Sequence, residues 1–185
     1  MKKSRSRSKK IIEPLFDLNY INKITKPFKK NLKTILKKVP KKGIAVFANK
    51  NILKDEVVCY YLVKAFDWKH FDSKYNNVYT MELYTKSDKV NQKMIGDICP
   101  ESLQMPDDNG IAYWGYFANE PSKNQQSNTY IDINLEENYS FRNTLKDGDL
   151  VLYKLVASKD IKKGEEITWC YGSLYKRKYD TSCKN

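Results

Sequence analysis

Hydrophobic and polar positions alternate in short bursts from Gly43 onward. GIAVFA (43–48) and EVVCYYLV (56–63) are dense in β-branched and aromatic residues, and NKNILKDE between them supplies turn-forming Asn, Lys and Asp. NVYTMELYT (77–85) and NTYIDI (128–133) follow the same style. DLVLYKLVASKDIKKGEEITWCYG (149–172) reads as two strands joined by the turn DIKKGE, where Gly164 can take a positive φ at little cost. Helical signal in this body is confined to AFDWKHFDSKY (65–75) and LYKRKY (174–179). Between Lys26 and Val39 two readings fit. Phe28, Leu32, Ile35, Leu36 and Val39 share a helical face, while LKTILKKV is short enough for a strand that stops before Pro40. The pattern predicts a mainly β domain of several small sheets with few short helices.

At 185 residues, 41% of them hydrophobic, the chain can bury a real core but does not divide comfortably in two. The expected layout is a basic, flexible leader over 1–30, one domain over 31–175 and a tail over 176–185. The apolar stretch IIEPLF is interrupted by Glu13 and Pro14, so neither a signal peptide nor a membrane span is expected. That points to a soluble intracellular protein.

Charge changes the picture through its position. Residues 1–42 carry 15 Lys/Arg against Glu13 and Asp17, a net of +13, whereas residues 43–185 come to about −1. Such an arm suits nonspecific contact with nucleic-acid phosphates or a nuclear import signal, and it equally suits a solubilising tail. Only four arginines beside abundant Lys, Asn, Ile and Tyr is the bias expected from an AT-rich genome, which offers a mutational rather than functional source for part of the lysine excess.

Cys59, Cys99, Cys170 and Cys183 form no C-x-x-C pair and the single histidine is His70, so no metal site is expected and free thiols are the default. Cys170 reads as a small buried apolar filler, since no histidine is placed to activate it. Asp107-Asp108 and Glu136-Glu137 read as solvated loop acids that could attract a basic peptide.

Three stretches are unlike plain core: KKGIAVFA, where Gly43 lets backbone approach a ligand; GYFANEPSKNQQSN (115–128); and GEEITWCYG (164–172). Their order and residues together resemble the SET-domain lysine methyltransferases. Gly43-Ile44-Ala45 looks like that family's G-x-G, and Tyr79 to Leu83 like its Y-x-F-x-L. Tyr116-Phe117-Ala118-Asn119-Glu120 with Asn128 looks like R-F-I-N-H followed by P-N, and GEEITWCYG looks like G-E-E-L-T-F-D-Y-G. The resemblance spans roughly residues 33–175 and favours the strand reading of LKTILKKV. Ala45 departs from glycine, Tyr116 from arginine and Glu120 from histidine.

The resemblance implies a β-clip fold with a knot-like C-terminal arrangement, and S-adenosylmethionine as cofactor. It implies cofactor contacts from Lys42, Gly43, Ile44, Ala45, Phe117, Asn119, Glu120 (main chain only) and Tyr171. Tyr171 and Tyr79 would be catalytic, and Tyr79, Trp169 and Tyr171 would line the lysine channel. Cysteine-rich flanking modules are absent, so SLYKRKY would close the site in place of a zinc cluster. The implied substrate is a basic protein such as a histone, in the nucleus or on chromatin, and the enzyme could be a homodimer. A lysine amine, with a reference pKa of about 10.4, must shed its proton before in-line attack, and a nearby sulfonium in a dry channel promotes that loss. Trp169 leaves the number of methyl groups open. Two other readings fit the same residues: a SET-like binding module without catalysis, motivated by Glu120 and Ala45, and a basic-arm nucleic-acid-binding protein.

Overall fold

A computed structural model describes residues 17–71, 80–83, 94–98, 106–132, 145–172, 175 and 177–183. Its first element lies inside the stretch expected to be a flexible leader. Helix α1 (Leu18–Thr25) starts at Asp17, whose carboxylate accepts the N–H groups of Asn19 at 2.9 Å and Tyr20 at 3.3 Å. It buries Ile21 completely, and it gives way to a 3-10 turn, Lys26–Phe28, at Pro27, which has no N–H to continue the ladder. One cap and two buried side chains per eight residues make a weak periodic signal, and the surrounding lysines hide it.

LKTILKKV is a strand. β1 (Thr34–Val39) pairs antiparallel with β2 (Gly43–Ala48), from Thr34 opposite Ala48 to Val39 opposite Gly43. The turn between them places both Lys41 (φ 65°) and Gly43 (φ 84°) in the left-handed region. The second sheet holds β3 (Val57–Asp67), β4 (Met81–Leu83), β5 (Met94–Ile98), β6 (Thr129–Asp132) and β7 (Leu150–Ala157) in the order β4-β5-β3-β7-β6, with every neighbour antiparallel. A bulge at Val58 shifts the β3–β7 register, and Val58 and Cys59 are consequently both buried.

Two hydrophobic clusters share β3 and β7. One gathers α1, β1, β2 and the segment 112–118 around Ile21, Leu36, Val46, Trp114, Phe117 and Ile167; the other gathers β4 and β5 around Tyr61, Val63, Met94 and Tyr153. Tyr116 and Trp169 pack against both, so the site described below lies at their junction. Among the described residues no helix is long and apolar enough to cross a membrane.

Three expectations are corrected. AFDWKHFDSKY continues β3 to Asp67 and then makes only a 3-10 turn at Trp68–His70 before residues 72–79, which lie outside the described residues. The described residues of LYKRKY, 175 and 177–179, are not helical. EEITWCYG is not a strand of a sheet: it makes single bridges, Glu166 to Phe47 and Thr168 to Asn119. The reason is Asn128, whose side chain accepts the Thr168 N–H at 2.9 Å and donates to the Glu166 carbonyl at 2.8 Å, standing in for a neighbouring strand. Strand β5, MIGDI, carries Gly and Asp, which punctuate most sequences; here Gly96 fits because a Cβ would lie 2.7 Å from Val63 Cγ2.

Gly110 is the most tightly enclosed of the glycines. Its φ is +74°, and a Cβ there would fall 2.0 Å from the Asn31 carbonyl oxygen, while its own carbonyl accepts from Lys33 N at 2.9 Å. Gly110→Ala is therefore expected to cost about 1–3 kcal/mol, read as a lower urea midpoint. An unchanged midpoint would contradict this packing.

Candidate functional site

Gly115 sets the site against β3. A Cβ at this position would meet Tyr61 Cβ at 2.7 Å and the Tyr60 carbonyl at 2.8 Å, so only glycine allows the 3-10 turn Gly115–Phe117 to sit so close. The chain then runs as Ala118-Asn119-Glu120 alongside 166–171. Asn119 bridges Thr168 in parallel fashion, and Trp169 N donates to the Asn119 carbonyl at 3.1 Å. On the other side, β2 holds the same segment: Gly164 N donates to Ala48 O and Ile167 N to Val46 O, each at 2.8 Å.

These contacts bring the start of β2 to the 118–120 segment. Asn119 Nδ2 lies 3.4 Å from the Ile44 carbonyl and 3.3 Å from Glu166 Oε1. Lys42 Nζ sits 3.1 Å from Glu166 Oε2 and 3.4 Å from the Glu120 carbonyl. Ala45 and Phe117 are buried, whereas Gly43 is exposed, with nothing within 4 Å of where a Cβ would stand. The space beside the Gly43 Cα is thus open at the start of β2.

One carbonyl organises the aromatic groups. Ala118 O accepts from Tyr171 Oη at 3.0 Å and from Trp169 Nε1 at 3.1 Å. Trp169 and Tyr171 meet edge to face with centroids 5.1 Å apart, Tyr171 meets Tyr175 at 4.9 Å, and Tyr61 meets Trp169 at 6.1 Å. Burial, reinforced by Tyr179, Tyr61, Tyr175 and Glu120, pushes the Tyr171 phenol well above its ordinary value. It stays neutral throughout the working range.

Glu120, which was expected to offer only its main chain, has a committed side chain. The carboxylate is fully buried and forms a two-point pair with Arg177, Nη2 to Oε1 at 2.7 Å and Nε to Oε2 at 2.8 Å. Oε1 also accepts the Tyr171 N–H at 2.8 Å, and Oε2 the Tyr179 hydroxyl at 3.0 Å. Residues 177–183 are consequently packed onto the site. Thr181 Oγ1 donates to Pro121 O at 2.7 Å, Ser182 Oγ donates to Gln125 O, and Thr181 bridges Ser122.

The cysteine expectation is corrected here. Cys170 and Cys183 are joined in a disulfide, with Cα atoms 5.5 Å apart across 13 residues, and Cys170 is exposed rather than a buried filler. Spacing along the chain revealed no pair because the partners meet only after the C-terminal segment folds back over Glu120. Among the described residues Cys59, buried, is the free thiol. Glu120, Cys170 and Cys183 cluster closely enough to suggest a metal, but the sulfurs are bonded to each other and both carboxylate oxygens are filled.

Burial alone would raise the Glu120 carboxyl. The hydrogen bonds from Arg177, the Tyr171 N–H and Tyr179, with the guanidinium charge, more than reverse this and hold it below its usual 4.5. A depressed carboxyl contributes stability that is fully present above the unfolded value and is lost as pH falls through the folded one. The stability advantage of wild type over Glu120→Gln should therefore be constant from pH 7 to 5 and shrink below about pH 4, as read by urea denaturation at each pH. A difference that stays constant into acid would show that the carboxylate charge contributes nothing.

The structure thus brings together Lys42, Gly43, Ile44, Ala45, Phe117, Asn119, Glu120, Trp169 and Tyr171. Tyr79 lies outside the described residues. Tyr61 and the Ala118 carbonyl were not legible as site groups; Tyr175 and Arg177 lie in SLYKRKY, the segment expected to close the site, but with no individual role assigned to them.

The family profile of the SET domain matches residues 43–172. No curated protein matches the chain. Among solved structures, CpSET8 from Cryptosporidium is similar at 21% identity with a TM-score of 0.51, over 94% of this chain and 85% of that one. A candidate histone methyltransferase of Plasmodium falciparum is 18% identical with a TM-score of 0.46, over 78% of this chain and 98% of that one. At these identities the likeness is one of fold.

Proposed function

The chain belongs to the SET-domain family, whose members are in general S-adenosylmethionine-dependent protein-lysine methyltransferases, and from that premise we propose that it methylates lysine in a basic protein, histone tails foremost. The observation that carries this reading is the setting of Tyr171. Its hydroxyl proton is spent on Ala118 O, so the oxygen lone pairs are left facing away from that carbonyl, where they can stabilise positive charge without taking a proton.

The residues fit the cofactor. The open space beside Gly43, the long 3.4 Å contact between Asn119 and the Ile44 carbonyl, and the edge of the largely buried Phe117 ring offer polar and apolar partners for a nucleoside. Lys42, Glu120 through its main chain, and Tyr171 would complete the set. When bound, S-adenosylmethionine supplies the methyl group on a sulfonium. Trp169, with its only donor held by Ala118, and Tyr61 and Tyr175 would wall a dry channel that orients the amine. Neither Tyr171, neutral and donating, nor Glu120, filled with donors, is suited to act as a base. The amine's proton therefore passes to solvent before attack, and the dry, sulfonium-bearing site favours the neutral amine.

A calorimetric titration with S-adenosylmethionine tests the reading. Saturable binding is expected, and Asn119→Ala should weaken it. Silence from the wild-type protein would favour a SET-like module without catalysis.

The exposed lysines Lys23, Lys26, Lys29 and Lys30 support the further proposal that the N-terminal region contacts nucleic-acid phosphates near a chromatin substrate. Deleting residues 1–42 would remove α1 and β1 from the core, so neutralisation is the better test. Changing these four lysines to glutamine should flatten the slope of log affinity against log salt by up to about 0.9 for each phosphate of duplex DNA that is no longer neutralised. An unchanged slope would place the binding surface elsewhere. A nuclear setting keeps thiols reduced, and there the Glu120–Arg177 pair would hold the C-terminal segment without the disulfide.

A further inference from the structure

We propose that Arg177, acting through Glu120, is a positioning residue for methyl transfer: it fixes the backbone around Tyr171 and so the direction of the phenol. This rests on the methyltransferase reading above.

Tyr171 is tethered at both ends. Its N–H is held by Glu120 Oε1 at 2.8 Å and its hydroxyl by Ala118 O at 3.0 Å, so peptide and ring are both referred to one three-residue stretch. The residue that follows, Gly172, has φ +92° and open space where a Cβ would stand. Glycine leaves the chain soft just where the phenol must be aimed.

Arg177 removes that softness. Its Nη2 donates to Gly172 O at 2.8 Å as well as to Glu120 Oε1 at 2.7 Å, Nε donates to Oε2 at 2.8 Å, and Nη1 donates to Tyr175 O at 3.3 Å. One planar group thereby ties together the acid that holds the Tyr171 N–H, the carbonyl after Tyr171 and the turn that carries the Tyr175 ring. The Arg177 side chain is 8% exposed and Glu120's is 0%, so water competes little for the ion pair itself.

With the disulfide formed, the C-terminal segment does not need Arg177 merely to stay docked. It is also fastened by the Cys170–Cys183 disulfide, by Thr181 on Pro121 and by Ser182 on Gln125. What the guanidinium adds is a fixed fork of donors, which a lysine ammonium, a single point charge, cannot reproduce.

The test is Arg177→Lys in the full chain with the disulfide intact, measuring kcat on a basic protein substrate, the Kd for S-adenosylmethionine by calorimetry, and the melting midpoint. The expected result is a kcat lower by about 10–100-fold, since small misalignments at the reacting centre carry losses of that size. Cofactor Kd should stay within about threefold of wild type, because a group that acts on alignment alone leaves ground-state binding largely intact. Glu120→Gln, near-isosteric, should show the same split. A kcat equal to wild type in both variants would overturn the proposal. So would a fall in kcat matched by an equal weakening of cofactor binding and a parallel loss of melting midpoint, the pattern of a purely structural role. A wild-type protein that binds no cofactor would instead defeat the methyltransferase reading itself.

Discussion

Tyr171→Phe should lower methyl transfer by about 10²–10³-fold, the scale seen when a single preorganised polar group is removed from a developing charge. The substitution deletes the oxygen whose proton is held by Ala118 and whose lone pairs remain free. The fold should survive. Ala118 O keeps its second donor, Trp169 Nε1 at 3.1 Å, the ring contacts with Trp169 and Tyr175 do not require the hydroxyl, and the Tyr171 N–H remains on Glu120. The stability change should therefore stay near the 0.5–1.5 kcal/mol of about one ordinary hydrogen bond. Kinetics with labelled cofactor, alongside urea denaturation of the same preparation, separates the two effects. A variant that is fully active would remove the phenol from the mechanism. One that is inactive because it is unfolded would show that the Ala118 bond is structural first.

Losing the Cys170–Cys183 disulfide should cost about 2–4 kcal/mol, the range for a closed loop of this order. The loop spans 13 residues and includes Gly172, Tyr175, Arg177 and Tyr179, which line or brace the site. A dithiol reductant should lower the melting midpoint of wild type and leave that of Cys170→Ser/Cys183→Ser unchanged, and the two proteins should converge under reducing conditions. If reductant leaves wild type untouched, the bond is either absent in solution or without effect on the segment. The Glu120–Arg177 pair should keep the reduced protein folded, because its four carboxylate hydrogen bonds do not involve either sulfur.

The sequence was informative where one face of a short strand is buried. GIAVFA, EVVCYYLV and DLVLYKLVA became β2, β3 and β7 because their β-branched and aromatic residues fill two adjoining clusters. It was uninformative where side chains replace backbone pairing. Nothing in EEITWCYG says that Asn128, some 40 residues earlier, will take the hydrogen bonds of a missing strand. MIGDI hid its burial behind Gly and Asp, and α1 hid among lysines.

The site divides in the same way. Gly43, Asn119, Trp169 and Tyr171 were legible because their motifs stand in order along the chain. Tyr61 and the disulfide were not, and Arg177 and Tyr175 were placed only as part of a closing segment, because each acquires its role from a distant partner: Arg177 from Glu120, Tyr175 and Tyr61 from the aromatic group around Trp169, and Cys183 from the return of the C-terminal segment. Glu120 is the instructive case. As a substitution for histidine it looked like a reason to doubt catalysis, yet in the fold it is the anchor for the segment that braces Tyr171.

Mass spectrometry of a histone panel incubated with S-adenosylmethionine and the full chain, run beside Tyr171→Phe, tests the central claim most directly. Methylated lysine formed by the wild type and lost in the variant is the predicted result; equal, background-level signal from the two proteins, with cofactor bound by both, would contradict it.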